Sequence, residues 1–120
     1  MKTPSRVPYR YSACKVDQII DGDTCDLWIN LGFDTFVKKR IRMWGIDTPE
    51  TRTRDKAEKL LGYAAKARLV ELLADGVCDL DSLELGKYGR VLGILYVGKV
   101  NVNAEILKCE GTKEYYGGKR

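Results

Sequence analysis

The fold can be deduced from the segment "CKVDQIIDGDTCDLWINL", residues 14–31. From residue 25 to residue 31, apolar residues alternate with Asp26, Trp28 and Asn30, which is the two-residue period of a half-buried strand. The segment "CKVDQII" before it predicts another strand, and "DGDT" between the two supplies a turn centred on a glycine. We therefore expect the two strands to form a hairpin.

After this hairpin, the segment "TFVKKRIRMWGI", residues 35–46, predicts a third strand. Val37, Ile41 and Met43 share one face of that strand, and Arg40 and Arg42 share the other, because successive side chains of a strand point to opposite faces. The third strand therefore presents arginines on the side away from its apolar residues.

The apolar spacing changes to that of a helix between residues 55 and 75. Asp55 followed by Glu58 resembles a capping box, and Gly76 is a natural stop. The stripe at helical spacing consists of Ala57, Leu61, Ala65, Leu69 and Leu72. We expect one long helix from Asp55 to Asp75.

The remaining chain favours more strands. The segments "VCDLDSLEL" and "RVLGILYV" predict two, and "YVGKVNV" predicts a hairpin around Gly98 and Lys99. A short helix is expected after Asn103, with that residue as its cap, ending by Gly111. About five strands with a long helix after the third favour an α+β, mainly β fold: a five-stranded barrel of OB type with one long helix and one or two shorter helices.

The length of the chain and of its apolar runs limits how it can be organised. Its 120 residues suffice for one domain with a single core. We expect a loose N-terminal arm at residues 1–12 and one OB-fold domain at residues 13–120, since prolines and the lack of a period mark the beginning. No apolar run approaches the roughly 18 residues of a membrane span, so we expect no membrane association, and we expect a monomer.

The first residues of the chain and the spacing of its cysteines predict the location of the protein and the redox state of its thiols. The first residues contain no continuous apolar segment of the secretory type, so we expect a cytoplasmic protein. Four cysteines, at positions 14, 25, 78 and 109, form no C-x-x-C pair, which argues against a zinc site. We expect reduced thiols, three of them in the core.

The chain has no histidine, and this excludes Ser-His-Asp triads, Cys-His pairs and histidine-bound metals. A general base must then be a carboxylate, Lys, Tyr or Cys. A metal site would have to consist of oxygen ligands, which favours calcium or magnesium.

Acidic residues gather at two places, Asp21 with Asp23 in "DGDT" and Asp47 with Glu50 in "IDTPE". Both segments follow predicted strands, so we expect them at neighbouring ends of the sheet. Carboxylates about 4 Å apart at a surface would repel each other by roughly 4 kcal/mol, and a divalent ion between them would remove that cost. Asp21 is interpreted as a structural residue of the turn.

Cations accompany these acids. Arg42 precedes Asp47 by five residues, and "GKYGR" places Lys87, Tyr88 and Arg90 in a loop with two glycines that suits approach to a phosphate. Hydrolysis of a phosphodiester needs a metal, a base for water and cations for the phosphoryl oxygens. The acids would position metal and water, and the arginine would hold the anion.

The segments "VDQIIDGDTCDLWI", "RIRMWGIDTPET", "GKYGR" and "VNAEILKCEG" occur in an order and spacing that resemble the staphylococcal nuclease family, over residues 13–116. The resemblance implies an OB-fold barrel and a calcium-dependent nuclease, with magnesium as the less favoured ion. Such an enzyme acts on single- or double-stranded DNA and on RNA and leaves 3′-phosphate ends.

The resemblance also implies a role for each residue that matches a family motif. Asp23, Asp47 and the carbonyl of Thr48 would bind the calcium ion. Glu50 would be the general base that activates water. Arg42 and Arg90 would also be catalytic: both would bind the scissile phosphate, and Arg90 would assist the leaving group. Lys87 and Tyr88 would bind a neighbouring phosphate, and Tyr115 or Tyr116 would pack near a base.

Other interpretations stay open from the residues alone. Lys38, Lys39 and Arg40 are interpreted as a solvated surface without a catalytic role. Lone aromatics such as Trp28 are more often packing residues, and Trp44, Tyr63, Tyr115 and Tyr116 fit the same description. The alternative function is a catalytically silent module of the same fold that binds nucleic acid or protein.

Overall fold

The computed structural model describes residues 9–85 and 89–117. The strands are β1 (Tyr9–Asp21), β2 (Thr24–Asn30), β3 (Phe36–Met43), β4 (Gly45–Asp47), β5 (Val77–Leu85), β6 (Val91–Val97), β7 (Val100–Asn101) and β8 (Lys113–Tyr115). The helices are α1 (Lys56–Leu72) and α2 (Val102–Leu107).

Five strands close into a barrel. Their order is β3-β2-β1-β5-β6, and β6 then pairs with β3 in parallel, which joins the two edges of the sheet. The other pairings in this ring are antiparallel. The prediction of an α+β, mainly β fold with a five-stranded OB-type barrel is confirmed. β7 extends β6 as a hairpin, and β4 pairs with β8 in a separate small sheet.

The core consists of the inward residues of the barrel and the faces of the two helices that cover it. Cys14, Cys25 and Cys78 are buried there, as predicted, and all four cysteines are free. Removal from water disfavours the thiolate. Burial raises the pKa of Cys78 to about 12 and also raises the pKa of Cys14 and Cys25.

The first strand begins earlier than predicted. It starts at Tyr9 instead of near Cys14, so residues 9–12 of the expected loose arm belong to the barrel. Arg10 lies opposite Asp81 of β5 and donates two hydrogen bonds of 2.6 and 3.0 Å to its carboxylate. This pairing between distant residues holds the segment in the sheet, and residues 1–8 lie outside the described part of the chain.

The predicted third strand is divided into β3 and β4 at Trp44. Gly45 has a φ of 86°, a conformation that glycine adopts without the steric cost of a Cβ. The N–H of Trp44 donates to the carbonyl of Gly93 in β6. The chain therefore turns out of the barrel here and carries Asp47 toward the first hairpin.

The long helix is confirmed with a small change of length. The Asp55 side chain caps its beginning by accepting from the N–H groups of Ala57 and Glu58. The helix ends at Leu72, three residues before the predicted end, and Gly76 follows with a φ of 76°. No helix within residues 9–85 and 89–117 combines the length and the apolar character needed to cross a membrane.

The cap of the second helix is Asn101, so the prediction of Asn103 as the cap is wrong. The Asn101 side chain accepts from the N–H of Ala104. Asn103 is fully buried, accepts from the N–H of Leu95 and donates to the carbonyls of Trp44 and Gly93. It therefore joins α2 to the barrel and to the β3–β4 break.

Candidate active site

One cleft of about 350 Å³ gathers the predicted chemistry. It lies where the β1–β2 turn, the end of β3 and the segment after β4 meet the residue that precedes β6. Its lining residues are Ile20, Asp21, Asp23, Thr24, Arg40, Arg42, Asp47, Thr48, Pro49, Glu50, Thr51, Arg52 and Arg90.

Asp23 is fixed in the wall of this cleft by both of its carboxylate oxygens. One accepts from the hydroxyl of Thr24 at 2.9 Å, and the other accepts from the backbone N–H of Thr48 at 3.0 Å. The residue is 6% exposed, so these hydrogen bonds compensate for the cost of burying the charge. The bond to Thr48 joins the first hairpin to the segment that carries Asp47 and Glu50.

Arg42 lies between the two groups of acids. Its Nη1 is 3.4 Å from Asp23 Oδ2 and its Nη2 is 3.6 Å from Asp47 Oδ1. Nη1 also donates to the carbonyls of Met43 and Ile46 at 3.2 and 2.9 Å, which fixes the plane of the guanidinium. Among the described residues, the buried Nη2 has no hydrogen-bond partner. A buried N–H without a partner is costly, and a phosphoryl oxygen in the cleft would satisfy it.

The segment after β4 is held from several sides. A Cβ at Gly62 of α1 would lie 2.7 Å from the carbonyl oxygens of Pro49 and Glu50, so only a glycine lets the helix approach this closely. A Cβ at Gly22 would lie 2.8 Å from the Cβ of Ala65 in the same helix. The helix is thus the support against which both acidic segments are packed.

Glu50 is exposed while its neighbours Pro49 and Thr51 are buried. Its backbone is therefore held by packing, and the exposed residue lines the cleft. The hydroxyl of Thr51 donates to Asp21 at 2.8 Å. A carboxylate on a fixed backbone and open to water has the placement that a general base requires.

Two further arginines, Arg40 and Arg52, line the cleft, and the sequence patterns assign neither of them to it. The sequence indicates only a solvated residue at Arg40. It donates hydrogen bonds of 2.8 and 3.2 Å to the two oxygens of Asp26, and this bonding raises the pKa of Arg40. Arg40 lies two residues before Arg42 on β3 and therefore on the same face of the strand. This spacing is the sequence signal that indicates its place in the cleft.

The cleft brings together Asp23, Arg42, Asp47, Thr48, Glu50 and Arg90. Of the residues that the structure describes, neither Tyr115 nor Tyr116 lines it. The Tyr115 ring centre is 6.0 Å from the guanidinium carbon of Arg42, and Tyr116 meets the Trp44 ring edge-on at 4.8 Å. Lys87 and Tyr88 lie outside the described residues.

The donor set suits a hard divalent ion completed by water and phosphate. Within the described ranges, no three Cys, Asp or Glu side chains are placed to hold a metal ion by themselves. Asp23 and Asp47 approach the two terminal nitrogens of the same guanidinium, and Thr48 lines the same cleft. Calcium and magnesium both accept carboxylate, carbonyl and water oxygens, so these residues fit either ion as an open site.

Comparisons with known proteins identify a family that matches the chain. The family described as "Staphylococcal nuclease homologue" matches residues 40–116. Arg42, Asp47, Thr48, Glu50 and Arg90 lie within that range.

Three curated relatives are similar to the chain. The SPbeta prophage-derived endonuclease YokF of Bacillus subtilis (strain 168) is 34% identical over 97 residues, 78% of this chain and 31% of the relative. Endonuclease YncB of the same organism is 34% identical over 97 residues, 78% of this chain and 43% of the relative. Micrococcal nuclease of Shigella flexneri is 33% identical over 82 residues, 68% of this chain and 41% of the relative.

The chain spans less than half the length of each of these relatives. The family match covers more than half of the chain and includes most of the cleft. The chain therefore belongs to the staphylococcal nuclease homologue family.

Proposed function

We propose that the chain is a metal-dependent nuclease that hydrolyses phosphodiester bonds of DNA and RNA. One observation carries the proposal: a single cleft is lined by Arg42 and Arg90 together with the acidic residues Asp23, Asp47 and Glu50. A phosphodiester is an anion that must be bound, neutralised and attacked by water. Positioned cations and a carboxylate base supply the first and last of these requirements.

Asp23, Asp47 and the carbonyl of Thr48 would hold the metal ion, and we propose calcium, with magnesium as the second choice. All three are oxygen donors, which hard cations prefer. When bound, the ion would supply positive charge to the phosphate and relieve the repulsion between the two carboxylates. The rest of the chemistry is assigned to side chains of the chain.

Arg42 would receive the scissile phosphate through its buried Nη2, and Arg90 would bind a second oxygen of the same group. Glu50 would accept a proton from the attacking water. The water oxygen forms a bond to phosphorus as the bond from phosphorus to the 5′ oxygen breaks. Arg90 would stabilise the charge on that leaving oxygen. The oxygen takes a proton from solvent water and ends as a 5′-hydroxyl, and the other product ends in a 3′-phosphate.

Lys87 and Tyr88 are proposed to bind the phosphate next to the scissile one. Tyr115 is the better candidate than Tyr116 for contact with a base. Its ring lies beside Arg42, whereas the ring of Tyr116 packs on Trp44. The monomeric state and the cytoplasmic location stay predictions.

The test is an assay of the purified protein on single-stranded DNA, double-stranded DNA and RNA with calcium, with magnesium and with a chelator. We expect cleavage that the chelator abolishes and calcium restores, and products that a 3′-phosphatase converts into primers for a polymerase. Absence of chelator-sensitive cleavage at high protein concentration would contradict the proposal. Salt-dependent binding of oligonucleotides without cleavage would favour the silent binding module instead.

A further inference from the structure

A row of side chains leads from the cleft along the outside of the barrel. The pairing of β2 with β3 runs without a bulge from Thr24 opposite Arg42 to Asn30 opposite Phe36. Alternate residues of β3 therefore share one face, and this face carries Arg42, Arg40, Lys38 and Phe36 in order. Neighbours in such a row are about 6.6 Å apart, comparable to successive phosphates of an extended strand.

An exposed tryptophan occupies the same face of β2. Trp28 lies directly opposite Lys38 and is 39% exposed. Its Nε1 donates to Asp17 at 3.2 Å, and the Lys38 ammonium is 3.0 Å from Asp17 and 5.9 Å from the centre of the Trp28 ring. The ring is thus held in place by its edge while part of its surface remains open to water.

These contacts leave the cations available to a polyanion. The side chains of Lys38 and Arg40 are 47% and 49% exposed, whereas Asp26, the acidic partner of Arg40, is buried. An ion pair at the surface, such as that of Lys38 with Asp17, contributes only about 0–1 kcal/mol. Arg40 uses Nε and Nη2 for Asp26, and its guanidinium has further N–H donors. A phosphate can therefore be bound without breaking the pair.

The combination of an exposed aromatic ring with flanking cations is the usual way in which proteins bind single strands. Bases stack on the ring, and the cations follow the backbone. OB-type barrels commonly use the face of the second and third strands for oligonucleotides. Packing against Tyr116 accounts for the position of Trp44. Packing does not account for Trp28, whose exposed ring is held by its edge.

We propose that the outer face formed by Trp28, Phe36, Lys38 and Arg40, the β2–β3 face, is a binding subsite for single-stranded nucleic acid. An unpaired base stacks on Trp28, and the phosphates between it and the cleft are bound by Arg40 and Lys38. The four residue steps from Arg42 to Lys38 span about 13 Å, so the strand must extend two or three nucleotides beyond the cleaved bond. The inference rests on the proposed function, because it assumes that the strand held is the strand cleaved.

Binding is measured in chelator, where no cleavage is expected, by anisotropy of a labelled single-stranded oligonucleotide of about twelve residues. We expect Trp28→Ala to weaken binding about tenfold, consistent with the loss of one stacked base. Trp28→Phe retains a ring and should bind within about threefold of the unchanged protein. Lys38→Ala should reduce the salt dependence by about one phosphate contact.

The matched controls are Tyr63→Ala, an aromatic on α1 that is 49% exposed, and Lys99→Ala in the β6–β7 turn. Both should bind like the unchanged protein. Equal affinities for the Trp28→Ala variant and these controls would overturn the inference, as would equal binding of a duplex of the same length.

Cleavage separates this inference from the proposed function. The Trp28→Ala variant should cleave a dinucleotide-length substrate at the unchanged rate and show a higher KM on the longer strand. A protein that binds through Trp28 but never cleaves would contradict only the nuclease proposal. A nuclease whose KM is insensitive to Trp28 and Lys38 would contradict only the β2–β3 face.

Discussion

The hydroxyl of Thr51 donates a 2.8 Å hydrogen bond to a carboxylate oxygen of Asp21, thirty residues earlier in the chain. Both residues line the cleft, and the bond joins the β1–β2 turn to the segment that follows Pro49. Asp23 accepts from the N–H of Thr48 in the same way. These two bonds set the distance between the proposed metal ligands and the proposed base.

Replacing Thr51 by Val removes the hydroxyl and keeps the shape of the side chain. We expect turnover to fall about tenfold because Glu50 loses its fixed position, and stability to fall by about 1 kcal/mol for the lost hydrogen bond. Thr51→Ser keeps the hydroxyl and should retain most of the turnover. Nuclease rates and urea denaturation measure the two effects, and equal rates for the two variants would contradict this role.

Arg42→Ala removes the guanidinium that lies between Asp23 and Asp47. We expect turnover to fall by at least about a hundredfold because the phosphate loses a buried charged donor. Arg42→Lys should also be impaired, since an ammonium cannot reach both carboxylates and the phosphate with one planar group. Arg68→Ala on α1 is the control, and turnover near the unchanged value in the Arg42 variants would contradict the assignment.

Glu50→Gln keeps the size of the side chain and removes its basicity. We expect a loss of at least about a hundredfold in turnover, with unchanged affinity for an oligonucleotide in chelator. Glu84→Gln, an exposed glutamate on β5, should have no effect on either quantity. A Glu50→Gln variant that retains full turnover would assign the proton transfer to another group.

Gly62→Ala tests the support of the cleft by α1. An alanine is ordinarily better than glycine within a helix by about 1 kcal/mol, but here its methyl group would meet two carbonyl oxygens at 2.7 Å. We expect reduced turnover and no gain in stability, because the segment with Glu50 must move. Ala64 is exposed on the same helix, and Ala64→Gly should lower stability while turnover is retained. Stabilisation by Gly62→Ala with full activity would show that the segment moves without consequence.

Local patterns predicted what depends on neighbours in sequence. The first hairpin and α1 follow from periods of two and of three to four residues, and the strand parity placed Arg42 on the side of the acids. Asn103 shows the limit: Asn101 and Asn103 are both suitable caps, and the contact that decides between them is with Trp44, 59 residues away. The start of β1 likewise depends on Arg10 and Asp81, 71 residues apart. Such pairings are set by the closure of the barrel, which no local pattern contains.

Stability should fall at alkaline pH because of the buried thiols. Burial raises the pKa of Cys78 to about 12, whereas a thiol in the unfolded chain ionises near pH ~8.5. Below that pH both states hold the proton, and the contribution of the neutral thiol to folding is fully present. Above it only the unfolded state releases the proton, so each such thiol lowers the free energy of unfolding by up to about 1.4 kcal/mol per pH unit.

Cys78→Ala isolates this effect from other titrations. We expect the variant to be less stable than the unchanged protein at about pH 8, and the difference to shrink by more than about 1 kcal/mol at about pH 10. Urea denaturation under reducing conditions measures both values. Ile106→Val, a buried change without an ionisable group, should lower stability equally at the two pH values. A difference between Cys78→Ala and the unchanged protein that stays constant with pH would contradict the raised pKa of the thiol.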